Sequence, residues 1–126
     1  MHKSKLAGFI IDCNTSDLRS AADFWSQALG MELNEFPKEE GEKYIRLQDP
    51  NKKLNIEVQK VDHPSRVHLD IETDDVAAEV KRLEALGAKR VESVGTWCVM
   101  QAPTGQKFCV VRSASSDFNQ IANKWS

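Results

Sequence analysis

The sequence has little that would support a disulfide framework or a nucleic-acid-binding surface. Of its 126 residues only three are cysteines, widely spaced and odd in number, which favours a reducing, cytoplasmic environment. Lysine and arginine total 17 against 19 aspartate and glutamate residues, a net charge of −2. Because no basic surplus is available to neutralise phosphates, we expect no nucleic-acid binding.

Long hydrophobic runs are also missing. The longest uncharged apolar stretch near the start covers only residues 6–11, far short of the roughly 20 residues that cross a bilayer. We therefore expect neither a membrane anchor nor a secretion signal. A length of 126 residues with 40% hydrophobic residues suits one compact domain.

What the sequence does contain is an internal repeat, in which residues 9–17 align with residues 67–75. Both segments alternate apolar and polar residues and then reach helix-capping residues, the pattern of a strand that leads into a helix. The helices that follow both end in Ala-Leu-Gly. The identical aligned pairs are Asp12 and Asp70, Thr15 and Thr73, and Asp17 and Asp75.

Three candidate strands follow each helix, separated by turn-forming sequences. They cover about 32–36, 43–48 and 53–61 in the first copy, and 90–94, 96–101 and 106–112 in the second. The sequence therefore predicts an α+β fold made of two tandem β-α-β-β-β modules with the helices outside. Module one spans about 6–61 and module two about 66–112, within a single domain 1–126 whose tail, 113–126, docks or frays.

Four stretches carry motifs of a known family: Ile11-Asp12-Cys13, Phe24-Trp25 to Leu29-Gly30, Arg66-Val67-His68-Leu69-Asp70 to Leu86-Gly87, and Trp97 to Cys109. With these motifs the tandem modules resemble the vicinal oxygen chelate superfamily of glyoxalases, bleomycin-resistance proteins and extradiol dioxygenases, and most of all its compact glyoxalase-like domain proteins. The resemblance covers residues 6–112. It implies a curved mixed sheet around one cleft that binds a small molecule. It also implies a homodimer, for which Trp25, Trp97 and Trp125 offer aromatic surface.

Alternation places polar side chains on one face of each strand, which we call the open face. In the first strand of module two His68 and Asp70 alternate with apolar residues, and the same pattern recurs around Arg46, Glu57 and Cys109. Alternation alone fits an ordinary solvated face equally well. The resemblance, however, implies that this face lines the cleft.

The resemblance also implies a divalent-metal site with one ligand from the first and one from the last strand of each module. His68 occupies the first-strand position of module two, but its counterpart in module one is Ile10, which cannot bind a metal. Glu57 lies on the last strand of module one, and we align Cys109 with it in module two. Since this ligand set is incomplete, we expect no metal cofactor.

Three interpretations of His68, Glu57 and Cys109 stay open. In the favoured one they line a metal-free pocket as hydrogen-bonding groups. In the second they hold zinc or another divalent metal, since all three residue types bind zinc. In the third Cys109 is a nucleophile activated by His68.

Asp70, Trp97 and Arg46 complete the candidate ligand-binding set. Trp97 offers a surface on which a planar ligand stacks, and Arg46 pairs either with a ligand anion or with Glu57. The favoured function is small-molecule binding with an unknown ligand. The alternatives are a metal-dependent lyase or isomerase of the superfamily and a pure interaction module, so the sequence leaves open whether the protein is an enzyme.

Overall fold

The computed structural model describes all residues, Met1–Ser126, and its strands and short helices confirm the α+β fold class. None of the helices has the length and apolar composition of a membrane span. The chain divides into two compact units, Gly8–Val67 and Met1–Ala7 with His68–Ser126. The elements in chain order are β1 (His2–Asn14), α1 (Leu18–Leu29), β2 (Leu33–Glu35), α2 (Glu40–Lys43), β3 (Tyr44–Leu47), β4 (Asn55–Val61), β5 (Arg66–Thr73), α3 (Val76–Ala85), β6 (Lys89–Val94), β7 (Trp97–Gln101), β8 (Lys107–Arg112), α4 (Phe118–Ile121) and β9 (Asn123–Trp125).

Module one forms the unit Gly8–Val67. Its strands hydrogen-bond in the order β2-β3-β4-β1, with β1 parallel to β4 and the other pairs antiparallel. Helix α1 packs on one face, where its Leu18 and Ala22 join a buried apolar cluster with residues of β1, β3 and β4. Of the two adjacent aromatics on α1, Trp25 packs against this cluster whereas Phe24 is exposed.

Module two repeats the same topology with the strand order β6-β7-β8-β5. Here β5 runs parallel to β8, and β7 is antiparallel to both of its neighbours. Helix α3 packs Val80 and Leu83 against residues of β7 and β8 in a second apolar cluster. The two β-α-β-β-β modules predicted from the internal repeat are therefore confirmed.

Matching aspartates cap the two main helices. Asp17 Oδ1 accepts a hydrogen bond from the Ser20 amide at 3.1 Å, and Asp75 Oδ1 accepts one from the Ala78 amide at 3.0 Å. Each carboxylate satisfies an amide that the first helical turn leaves without a partner. Thr15 Oγ1, two residues before Asp17, instead accepts a hydrogen bond from the Asp17 amide. The repeat thus preserves the residue that starts each helix.

The two ends of the chain pack together, which the sequence did not predict. Strand β9 pairs antiparallel with the start of β1, so that His2 lies opposite Trp125. The Trp125 indole Nε1 donates to Ser4 Oγ at 2.8 Å, and the Arg82 guanidinium carbon lies 3.8 Å from the centroid of the Trp125 ring. Because β9 supplies hydrogen-bond partners there, β1 begins at His2, before the predicted start at Leu6.

Glu79, on α3 beneath these ends, is a completely buried carboxylate. Arg82 donates to its two oxygens at 2.9 and 2.8 Å, and His2 Nε2 lies 2.8 Å from Oε1. Burial alone would raise the pKa of Glu79. Hydrogen bonds from Arg82, His2 and Ser4 together outweigh burial and lower the pKa to about 2.

We therefore predict that Glu79 makes folding stability depend on acid pH. Its folded-state pKa of about 2 lies below its ordinary value of 4.5, so ionised Glu79 stabilises the fold above that value and the contribution is lost as pH falls toward 2. Glu79→Gln should lower the free energy of unfolding at pH 7, on the order of 2–3 kcal/mol. It should also flatten the acid dependence in urea denaturation. Glu84→Gln, an exposed change on the same helix, is the control, and parallel pH profiles for Glu79→Gln and wild type would contradict the prediction.

Candidate functional site

Three side chains of different chemistry converge on the open face of module two. One ligand-type atom each of His68, Asp70 and Cys109 lies within 4.8 Å of the others. His68 Nε2 is 3.6 Å from Asp70 Oδ1, and these side chains are only 12% and 14% exposed. Cys109 is a free, partly exposed thiol. We call these three residues the His68 cluster.

The parallel pairing of β5 with β8 brings the cluster together. Asp70 lies directly opposite Cys109 in this register, and His68 is two residues back on the same strand, hence on the same face. The neighbours of Cys109 along β8, Phe108 and Val110, are buried in the cluster against α3. Since side chains alternate along a strand, Cys109 must point to the open face.

The donor set of the His68 cluster suits zinc. Imidazole, carboxylate and thiolate all bind zinc, and three protein ligands leave a fourth position for a ligand or water. Hard cations such as magnesium prefer sites made only of oxygen ligands. The same three groups also suit direct contact with an organic ligand, because the neutral imidazole both donates and accepts hydrogen bonds and Asp70 can orient it.

Glu57 and Arg46 lie on the open face of module one and contact each other. They are directly opposite in the pairing of β3 with β4, and Arg46 Nη2 is 4.0 Å from Glu57 Oε2. Glu57 also accepts a hydrogen bond from Asn55 Nδ2 at 2.6 Å. The Arg46 guanidinium carbon is 4.9 Å from the centroid of the Phe36 ring. Of the two partners predicted for Arg46, the structure therefore shows Glu57.

The alignment of Glu57 with Cys109 is wrong. Strand β1 places Asp12 opposite Gln59, whereas β5 places the repeat counterpart Asp70 opposite Cys109. Gln59, two residues beyond Glu57, is therefore the position equivalent to Cys109. The error arises because the two positions were aligned by their distance from the preceding turn and by the apolar residues on either side. The parallel register with the first strand is what decides which residues are equivalent.

Trp97 belongs to a different part of module two. It is the first residue of β7, is 38% exposed, and lines a pocket of about 780 Å³. His68, Asp70 and Cys109 do not line this pocket. Sequence reasoning missed the pocket, because its walls come from separate segments: the ends of β5 and β8, the first half of α3, and the β6–β7 hairpin.

Comparison with known proteins gives the class of the fold. The model of the glyoxalase-like domain matches residues 8–111, so the chain belongs to the glyoxalase-like domain family. No curated protein matches the sequence significantly.

Solved structures of the superfamily share the architecture at low sequence identity. Methylmalonyl-CoA epimerase from Mycobacterium tuberculosis is 18% identical, with a TM-score of 0.63 over 86% of this chain and 87% of its own. A glyoxalase/bleomycin resistance protein/dioxygenase superfamily member from Vibrio splendidus 12B01 is also 18% identical, with a TM-score of 0.55 over 86% and 100%. A methylmalonyl-CoA epimerase in complex with methylmalonyl-CoA and NH4+ is 12% identical, with a TM-score of 0.56 over 90% and 99%. At these identities the likeness concerns the fold.

The thiols should differ in reactivity according to burial. Cys98 is buried, whereas Cys109 is partly exposed, and burial raises the pKa of Cys13 and so lowers its thiolate fraction. We predict that 5,5′-dithiobis(2-nitrobenzoate) labels Cys109 first in the native protein and Cys98 only after unfolding. Cys109→Ser should remove the fast phase, and Cys13→Ser, the control, should keep it. A fast phase that survives in Cys109→Ser would contradict this order.

Proposed function

We propose that the open face of module two binds a small organic molecule through His68, Asp70 and Cys109, without a required metal ion. The convergence of these partly buried groups within 4.8 Å carries the proposal. Membership of the glyoxalase-like domain family supports it. So does the shared fold of a structure that holds methylmalonyl-CoA.

The metal-free form of the proposal is supported by module one. The position that matches His68 there is Ile10, which is 4% exposed and has no donor atom. Glu57, the remaining predicted ligand, already contacts Asn55 and Arg46. In module one, therefore, Ile10 cannot bind a metal and the Glu57 carboxylate is already paired.

The chemistry of the His68 cluster favours a ligand with a hydrogen-bond acceptor. Asp70 lies close enough to His68 to orient the imidazole. The imidazole then offers an N–H to a carbonyl or carboxylate oxygen of the ligand. Cys109 adds a polarizable thiol beside the same atoms.

A zinc-dependent lyase or isomerase is the second candidate. It is favoured by the same three donors, since they form an open three-ligand zinc set inside one module. His68, Asp70 and Cys109 would hold the ion, and zinc would supply Lewis-acid polarisation of a substrate carbonyl.

Metal analysis of the purified protein separates the two candidates. We predict less than a tenth of an equivalent of zinc, and a melting temperature unchanged by a chelator, because only a ligand bound to the native state adds stability. Mass spectrometry should detect a co-purifying small molecule that is lost in His68→Ala. The control His63→Ala should keep it, since His63 contacts only its near neighbours in sequence, the Pro64 carbonyl and the Arg66 guanidinium. Near-stoichiometric zinc that disappears in His68→Ala would instead establish the second candidate.

We also propose a cytoplasmic homodimer. The three free cysteines fit a reducing compartment, and the exposed aromatic side chains of Phe24 and Trp97 fit an interface. Light scattering at roughly 50 µM, where even a micromolar dimer is mostly associated, should give twice the protomer mass of 14.2 kDa. A mass equal to one protomer at that concentration would contradict the proposed dimer.

A further inference from the structure

We infer that module two has a second binding site, a pocket on the helix side of its sheet that binds a small organic carboxylate through Arg112. The pocket has a volume of about 780 Å³, within the roughly 300–1,000 Å³ of typical small-molecule sites. Arg112 is the last residue of β8 and lines it. The site is independent of the function proposed for the His68 cluster.

The pocket and the His68 cluster lie on opposite faces of the same strands. Val80 of α3 and Cys98 of β7 line the pocket, and both belong to the buried cluster beneath the helix. On β8, Arg112 is two residues from the buried Val110, whereas Cys109 is directly next to it. Because side chains alternate along a strand, Arg112 lies on the helix side and Cys109 on the open side.

Arg112 is the charged residue of the pocket that is free to pair with a ligand. It is exposed and makes no ion pair, whereas Arg90, the other arginine of the lining, is 3.8 Å from Glu84. The two acidic side chains of the lining are engaged by the backbone. Asp74 Oδ1 accepts from the Lys3 amide at 2.8 Å, and Asp75 accepts from its helix. A ligand carboxylate is the group that a free guanidinium binds best, by two parallel hydrogen bonds.

At the two positions on which the proposal rests, Val76 and Arg112, module one has different residues. Leu18 is buried on α1, whereas its counterpart Val76 on α3 is smaller, partly exposed, and lines the pocket. Val61 is the last residue of β4 that pairs with β1, and it matches Val111 in the pairing of β8 with β5. The next residue, Asp62, is therefore the counterpart of Arg112. Module one therefore has a bulkier side chain and the opposite charge at the matching positions.

The remaining lining sets the shape of the ligand. Val76, Val80 and Cys98 provide an apolar floor, and Ser93, Thr96 and Ser113 provide hydroxyl groups at the rim. Apolar floors with a few polar groups are typical of sites that take a compact ligand body and orient one polar end. A small carboxylate with a flat or branched apolar body satisfies both features, and benzoate is its simplest probe.

The test is a titration of the ¹⁵N-labelled full-length protein with sodium benzoate, followed by amide chemical shifts. We expect saturable shifts at Thr96 and Ser113 rather than at His68 and Cys109. Arg112→Gln should weaken binding at least about tenfold, the loss expected for a charge-assisted hydrogen bond. The uncharged analogue benzamide should be weaker by a similar factor. Arg19→Gln, an exposed arginine change in module one, is the matched control and should leave the affinity unchanged.

Val76→Leu tests the shape of the pocket by introducing the residue that module one has at this position. It should abolish benzoate binding while the spectrum keeps its native dispersion, and His68→Ala should bind benzoate like wild type. An affinity that changes less than twofold in Arg112→Gln overturns the proposal. Amide chemical-shift changes centred on the His68 cluster would also overturn it. The same holds if benzoate causes no saturable shift changes in the wild type. If Val76→Leu loses native dispersion, the exposed substitution Arg112→Gln alone decides.

Discussion

The parallel pairing of the first with the last strand in each module is the constraint on which the rest of the structure depends. Two parallel strands cannot be joined by a tight turn, so each module needs a helical crossover, and that helix covers one face of the sheet. The other face stays open and receives the polar side chains. In module two this pairing places Asp70 beside Cys109, although 38 residues lie between them in the sequence. The chemistry of the open face is thus a consequence of register.

Local signals made much of this fold predictable. Each of the two main helices has a capping aspartate and an apolar stripe. Both features act over a few residues, so the bounds of α1 and α3 follow from the sequence. Interactions between distant segments were not predictable. The pairing of β9 with β1 joins the two ends of the chain, and a Cβ at Gly8 would lie 1.9 Å from the Asn55 carbonyl oxygen, a close approach that no neighbouring residue signals.

The candidate site shows the same division. Alternation correctly assigned His68, Asp70 and Cys109 to one face, because the side-chain period of a strand is a local property. It could not identify which residue lies beside Cys109, since that depends on the register between β5 and β8. Counting from a turn aligned Glu57 with Cys109, whereas the sheet aligns Gln59 with it. A shift of two residues keeps the face and changes the neighbour, so an alignment made from sequence can give the right face of a strand and the wrong cross-strand partner.

The two modules differ at the positions that the candidate sites of module two use. Its His68 and Arg112 stand where module one has Ile10 and Asp62. The buried carboxylates that receive the chain ends also lie in module two: Glu72 is 3.6 Å from Lys5 and accepts from Ser115 Oγ at 2.6 Å.

These contacts stabilise strand β5 and helix α3, which position both candidate sites. Glu72 lies on β5, two residues after Asp70, and Glu79 lies on α3 between Val76 and Val80. A buried charge is costly unless its partners are held in place, so each carboxylate requires the docked chain ends as its surroundings. The docking of the ends and the geometry of the two sites are therefore coupled, and loosening the tail should disturb β5 and α3 before it disturbs any element of module one.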